Sequence, residues 1–320
     1  MYVNFISVQI FFPLRYNKSN FAVVLALAVT MRKRLRPTLF LSVLVLLASS
    51  YTSCELINPE EQIPSFLRID SISFATASSE GKPIENFTDA WVYDNEQLVG
   101  VYELPAVVPV LRGGDANIRI RAGIKLNGQV GTRVPYIFSV DYLKTIELFP
   151  DSQLHINPTL FFKEGVTFDW LENFDNSSTT TLSKTSQSQA EVERITGVES
   201  YDGGSLKLAL DADQLIFECK MTGDGVDIPG GGTPSFLEFT YKCNNSFVVG
   251  LFSEDPGGTR QNSIIILNPS EDWNHIYINL TDVVSANPNY TAQNPFFGFI
   301  RDENVEGEAF VILDNIRMMH

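Results

Sequence analysis

The sequence predicts an all-β protein, with two β-sandwich domains in tandem, the second a jelly roll, after a cleaved N-terminal leader. Three observations carry that expectation. Aromatics make up 12% of the 320 residues, with 23 Phe and 11 Tyr, a composition suited to pleated, half-buried surfaces. Short stretches alternate apolar and polar residues, the two-residue period of a strand with one buried face. Gly, Pro, Asn and Asp clusters punctuate those stretches at the spacing of sandwiches and jelly rolls. A hydrophobic fraction of 44% can bury a core through most of the chain, and the length admits two domains of ordinary size.

Residues 31–53 read as an export signal. Arg32, Lys33, Arg34 and Arg36 precede the apolar run 39–48, and small or polar residues follow up to Cys54. The run is about ten residues, short of the ~18–20 that a spanning helix needs. Residues 1–30 lack the order of a signal, so translation is expected to start at Met31. A single anchor over 21–48 would bury those four cations, each at about 2.5–3.5 kcal/mol at mid-bilayer. Tyr51-Thr52-Ser53-Cys54 resembles a bacterial lipobox, in the relaxed form of Bacteroidetes surface lipoproteins. Family members usually carry Leu where Tyr51 stands, while Ser53 fits the small-residue position. The resemblance implies acylation of Cys54, with palmitate among the chains, and a place on the periplasmic or surface face of the outer membrane. Ordinary signal cleavage near Cys54 is the alternative. Each buried CH₂ adds ~0.8 kcal/mol, so several chains anchor stably. Residues 54–62 then form an acidic, Pro-containing tether.

Charge narrows the partners. The formal charge is −15; the six basic residues of 1–53 stand without an acidic one, leaving 17 basic against 38 acidic residues beyond them, a net of −21. Such a surface repels phosphate backbones, which excludes nucleic acid and disfavours direct adhesion to anionic headgroups.

The first domain is expected over 63–165, with strands at 67–74, 90–93, 118–121 and 145–148. Ala90-Trp91-Val92-Tyr93 enters a polar turn, Asp94-Asn95-Glu96-Gln97, and Leu98-Val99-Gly100 returns. Residues 90–121 resemble a PEGA-type, Ig-like surface repeat, which implies a non-enzymatic spacer or binding unit. Members usually have Gly where Glu96 or Gln97 sits. The second domain is expected over 167–320, with strands at 205–210, 215–220, 236–243, 247–252, 263–267, 275–280, 296–300 and 310–317. A Ser/Thr-rich loop covers 176–188, and the helix-free strand run favours a jelly roll.

Alternation within two of these strands supplies a candidate ligand surface. His275, Tyr277 and Asn279 point away from Ile276, Ile278 and Leu280. Glu238, Thr240 and Lys242 oppose Leu237, Phe239 and Tyr241. In one sheet these six would make a polar face with an aromatic in it, suited to stacking on sugars and bonding their hydroxyls; an ordinary solvated face is the alternative. Asp314 shares parity with Phe310, Ile312 and Ile316, an expensive place for an unpaired carboxylate. Cys219 and Cys243 share parity with apolar neighbours, as two buried thiols or as a cross-strand disulfide. His155, His275 and His320 have no His or Cys at metal-ligand spacing, and no nucleophile elbow or Walker loop occurs.

Trp273-Asn274-His275-Ile276-Tyr277-Ile278-Asn279-Leu280, Phe310-Val311-Ile312-Leu313-Asp314-Asn315-Ile316 and the opening Leu171-Glu172-Asn173-Phe174-Asp175 resemble galactose-binding-like carbohydrate-binding-module jelly rolls over 167–320. The resemblance implies glycan or protein-partner binding and no catalysis. It also implies a structural Ca²⁺ on Glu172 or Asp175 together with Asp314, with backbone carbonyls completing six to eight oxygens; solvated or hydrogen-bonded carboxylates are the alternative. The expected function is therefore a membrane-anchored surface lipoprotein that binds glycan or a protein. A structural or assembly accessory of an outer-membrane complex is the alternative.

Overall fold

The computed structural model describes residues 62–176, 180–286 and 289–320; the leader, Cys54 and the tether up to residue 61 lie outside the described residues. Strands are numbered in chain order. In β1 (Ser65–Ile69), Ser65, Leu67 and Ile69 turn inward, and the strand lies between β5 (Ala106–Val110) and β9 (Gln153–His155). The stretch expected as one strand over 67–74 breaks after Ile69, and β2 (Ser73–Phe74) pairs instead with β10 (Thr159–Leu160). Side chains take over the backbone bonding at the break: Arg68 Nε donates to Asp70 at 2.8 Å, and Asn157 Oδ1 accepts from the Asp70 amide at 3.3 Å.

A second sheet runs β4 (Gln97–Glu103), β3 (Asp89–Asp94), β6 (Gly114–Lys125), β7 (Arg133–Pro135), with β8 (Tyr142–Leu148) also on β6. Its inward Val92, Ile118, Ile120 and Ile146 share a core with Leu67, Ile69, Val108 and Val110. Burying each such side chain contributes about 1.5–3 kcal/mol. The β3–β4 hairpin turns through Asn95 and Glu96 at φ 45° and 66°, the left-handed twist that hairpins favour. Glu96 occupies it without glycine's freedom, its carboxylate held by Arg119 at 3.0 Å.

From residue 168 two further sheets pack face to face. The first runs β13 (Val192–Thr196), β14 (Gly204–Leu210), β21 (Ala309–Met319), β16 (Phe236–Cys243), β19 (Ser270–Asn279), with β11 (Phe168–Glu172) also on β21. The second runs β12 (Leu182–Lys184), β15 (Ile216–Met221), β20 (Ala292–Ile300), β17 (Phe247–Asp255), β18 (Gly258–Leu267). Leu206, Leu237, Phe239, Ile276, Ile278 and Leu313 of the first meet Phe217, Val249, Leu251, Phe297 and Phe299 of the second. The chain is thus all-β, in β-sandwich layers.

Three further details depart from the sequence expectation, and one open alternative, the cysteine pair, closes on the buried thiols. The Ser/Thr-rich stretch contains β12, because Leu182 buries itself in the core while its neighbours stay outside. One helical turn, α1 (Thr281–Ser285), follows β19 and buries Val284. Cys219 and Cys243 are free thiols in opposite sheets, so they form no cross-strand disulfide; burial pushes both up, Cys243 to about 11. Finally, β21 bulges at Asn315, whose φ is 47°, with a register slip against β16. The bulge flips parity: Val311 and Leu313 face the core before it, Ile316 and Met318 after it. Ile316 therefore leaves the face that Asp314 occupies.

The sheets divide near Thr167, but the apolar core does not. Phe236, Tyr277 and Met319, from the outer face of the β14–β21–β16–β19 sheet, are buried among Phe74, Tyr136 and Phe138. Tyr277 lies 5.4 Å from Tyr136 and Phe236 lies 5.3 Å from Phe138, centroid to centroid. The Asn86 amide donates to the Tyr277 hydroxyl at 2.8 Å, and the Asn127 amide to the Tyr277 carbonyl at 2.9 Å. Residues 63–320 form one compact unit.

Candidate functional site

β16 and β19 pair with Glu238 opposite Tyr277 and Thr240 opposite His275. Pleating therefore gathers the predicted polar side chains on one face of one sheet, as their alternation requires. What covers that face is another matter. Glu238, Thr240, His275 and Tyr277 are each at most 7% exposed. Asn86 Nδ2 clamps the Asn274 carbonyl oxygen of the side chain at 3.0 Å and the His275 backbone carbonyl at 3.1 Å. Thr240 Oγ1 sits 3.0 Å from His275 Nδ1. Burial holds His275 below the usual histidine pKa, although Glu238 stands 3.9 Å away. Asn279 is half-buried, its side chain bonded to the Thr281 amide. These residues form a seam between β layers rather than an open ligand surface. The aromatic side chains of residues 87–138 need burial, and this end of the face supplies it. Of the predicted six, Lys242 faces an open concavity.

The same face stays open at its other end. Lys207 of β14 and Lys242 of β16 both stand opposite Ile312 of β21, and Phe310 lies one step further along, opposite Ala209. Trp273 of β19 completes the row, with the Tyr201 ring packed edge-on at 5.3 Å. A concavity of about 260 Å³ lies over Trp273, Lys242, Ile312, Phe310 and Lys207, walled by Val198 and Glu199. A second, of about 350 Å³, continues over Ala209 to Glu191, Glu193 and Gln214, and shares Lys207 and Glu308 with the first. Together they form a groove running across the strands from β19 to β13. Five strands at about 4.8 Å spacing give it a length of about 19 Å.

Lys207 and Glu308 form the waist of this groove, with Nζ 2.5 Å from Oε2 and 5.9 Å from the Phe310 centroid. Burial works against the Lys207 ammonium, and the Glu308 carboxylate outweighs it, so its pKa stands above the usual lysine value. The lining thus combines the Trp273 and Phe310 rings with the paired heads of Lys207 and Glu308. Such a surface can stack on the apolar face of a ring while bonding polar groups at its edge. Sequence parity could have found Lys207, which alternates with Leu206 and Leu208. Nothing local marks Tyr201, Glu199 or Glu308, because the pairing of β14 with β21 is long-range.

Glu172, Asp175 and Asp314 do not converge on one point. Glu172 accepts from the Phe174 and Thr181 amides and the Thr181 hydroxyl. Asp175 binds the Lys82 ammonium at 3.0 Å and the Gly204 amide at 3.2 Å. Asp314 accepts from Ser205 Oγ at 2.7 Å and the Asn315 amide at 2.6 Å. Among the described residues no group of three His, Cys, Asp or Glu side chains is placed to hold a metal. The carboxylates are spent on N–H and O–H donors and on a lysine, so the trio does not fit a shared Ca²⁺.

Burial pushes the Asp314 carboxyl up to about 6, against the partial relief of Ser205 and Asn315. The folded state therefore holds this proton up to about pH 6, while an unfolded Asp releases it near 3.9. Asp314 thus contributes stability below about pH 4 that is lost as pH rises through about 6. Asp314→Asn is expected to gain on the wild type by about 2 kcal/mol between pH 4 and pH 7, as read by urea unfolding at both values. His275 has the opposite slope, but it is common to both proteins and cancels in the difference. A pH-independent gap would show that Asp314 is not the titrating group.

No protein-family model and no curated protein matches the chain. Several solved structures are similar to it. One comes from work on the promiscuous specificity of β-sandwich carbohydrate-binding modules: identity is 14%, over 82% of this chain and 100% of that one, with a TM-score of 0.39. The CBM22-1 xylan-binding domain of Paenibacillus barcinonensis Xyn10C is 10% identical over 49% of this chain and 96% of its own, with a TM-score of 0.35. CBM28, a module specific for non-crystalline cellulose, is 12% identical over 46% of this chain and 91% of its own, again at 0.35. These three neighbours are carbohydrate-binding modules.

Proposed function

We propose that the protein is an exported, lipid-anchored envelope protein that binds an oligosaccharide, without catalysis, in the groove between Trp273 and Glu191. The observation that supports this most is the row Trp273–Lys242–Ile312–Lys207 with Phe310 beside it, an elongated aromatic and charged surface on a rigid sheet. Its elongation suits a linear chain rather than a compact ligand. The ion pair at its waist sets an ammonium donor beside a carboxylate acceptor, which suits recognition of hydroxyls. A glycan array probed with the chain from Glu55 onward is expected to give hits that Trp273→Ala loses at least about tenfold, the loss of one stacked ring. Hits unaffected by Trp273→Ala, or shortened by the protein itself, would count against the groove or against the non-catalytic role.

The anchor has its support in the sequence, where a basic start, an apolar run and Tyr51-Thr52-Ser53-Cys54 follow one another. Cys54→Ala is expected to move the protein from the membrane to the soluble fraction and to end labelling by a fatty-acid analogue. Labelling that persists in the variant rules out acylation at Cys54. An array without hits would instead favour an accessory role in an envelope complex. Exposed Ile63, Leu111 and Phe149 suit that second reading, in adjoining segments tied by the Asp151 amide to the Pro64 carbonyl and Ser65 Oγ to the Arg112 carbonyl.

A further inference from the structure

A separate concavity, of about 160 Å³, lies where β11 and the bulge of β21 meet the turn at residues 78–82. Two buried polar side chains that line it keep atoms without hydrogen-bond partners. Asn315 is 6% exposed, and neither its amide oxygen nor its amide nitrogen makes a hydrogen bond. Arg317 is 3% exposed; its Nη2 donates to the Lys82 carbonyl at 2.6 Å, but its Nε has no acceptor. Buried groups of this kind are seldom left unmet, and a bulge with a left-handed residue is a common device for aiming a side chain out of a ladder. Asn315 is held in that conformation, at φ 47°.

Of the other polar groups around the cavity, Lys82, Glu172 and Asn173 are already engaged, while the Ser78 hydroxyl stands exposed at the rim. Lys82 is paired with Asp175 and Asp202, and Glu172 with its three donors. Gly81, at φ 82°, keeps the approach clear: a Cβ there would stand 3.4 Å from Leu171 and 3.6 Å from Arg317 Nε. What is buried and free is one guanidinium N–H, one amide NH₂ and one amide carbonyl. Around them Lys82 and Arg317 are outnumbered by Glu172, Asp175, Asp202 and Glu238, so an anion is disfavoured. The complement of such a set is a pair of adjacent hydroxyls, each of which both donates and accepts. We propose that this cavity binds a small neutral polyol, through the neighbouring hydroxyls of one sugar ring, independently of the groove. One hydroxyl accepts from Arg317 Nε–H, and its neighbour donates to Asn315 Oδ1 while accepting from Nδ2.

Saturation-transfer NMR on the full-length protein in detergent tests this, with D-glucose, D-galactose and D-mannose as probes and acetate as the anionic control. Transfer to at least one hexose is expected, unchanged in Trp273→Ala and reduced about tenfold in Asn315→Gly. Glycine accepts the left-handed conformation, so the second variant should fold, which its melting temperature checks. The proposal is overturned by no transfer to any hexose, by transfer to acetate alone, or by a hexose signal that survives Asn315→Gly and disappears in Trp273→Ala. The last outcome would place the sugar in the groove, and so would leave the groove reading standing while removing this one.

Discussion

Tyr277→Ala is expected to cost about 3–5 kcal/mol of folding stability, the range for removing a large aromatic from a packed core. Tyr277 belongs to a strand of the second half of the chain yet is buried with the aromatics of the first, 5.4 Å from Tyr136 and stacked at 6.4 Å on Phe87. Its loss opens a cavity at the seam and leaves the Asn86 amide without its acceptor. Tyr277→Phe keeps the ring and should cost only about 1–2 kcal/mol, the price of that one bond. Denaturant unfolding separates the cases. The shared core further predicts that both halves unfold in one transition, and that Tyr277→Ala lowers its midpoint. A variant within about 1 kcal/mol of wild type, or two transitions of which one is unmoved, would mean that the halves stand independently near Thr167.

Arg317→Ala should be as damaging, for an electrostatic reason. Arg317 and Glu238 are both buried, with Nη1 3.6 Å from Oε2, and neither Glu238 oxygen has a hydrogen-bond partner. Arg317 also lies 5.0 Å over the Phe162 ring and bonds the Lys82 carbonyl. Removing it leaves a buried carboxylate without its cation, at about 3–5 kcal/mol. A double-mutant cycle with Glu238→Gln isolates the pair: Arg317→Ala should cost less in the Gln background, since no charge is stranded there. Equal costs in both backgrounds would place the effect in packing rather than in charge.

How much of this was legible in the sequence follows from the range of each interaction. Strands such as 236–243 and 205–210 were legible because alternation and turns are local, and the observed β16 and β14 match them. The faces were legible too: Ile276 and Ile278 lie in the core and His275 and Tyr277 opposite, as period two demands. The occupant of that opposite face was not. Asn86 reaches Asn274, His275 and Tyr277 at sequence separations of 188 to 191 residues, and no local pattern announces such a contact. Alternation also fails at a bulge, which is why Asp314 and Ile316 were placed on one face although Asn315 turns them to opposite ones. Lys82 was invisible because its contacts are long-range, and of the acidic trio it pairs with Asp175 alone.

The groove is tested most directly by a crystal structure of the protein with an oligosaccharide selected on the array. The groove reading predicts the sugar chain across the strands, with one ring on Trp273 and hydroxyls on Lys242, Lys207 and Glu308. A sugar seated instead on the outer face of the opposite sheet, near Phe252 and Gln261, would contradict it.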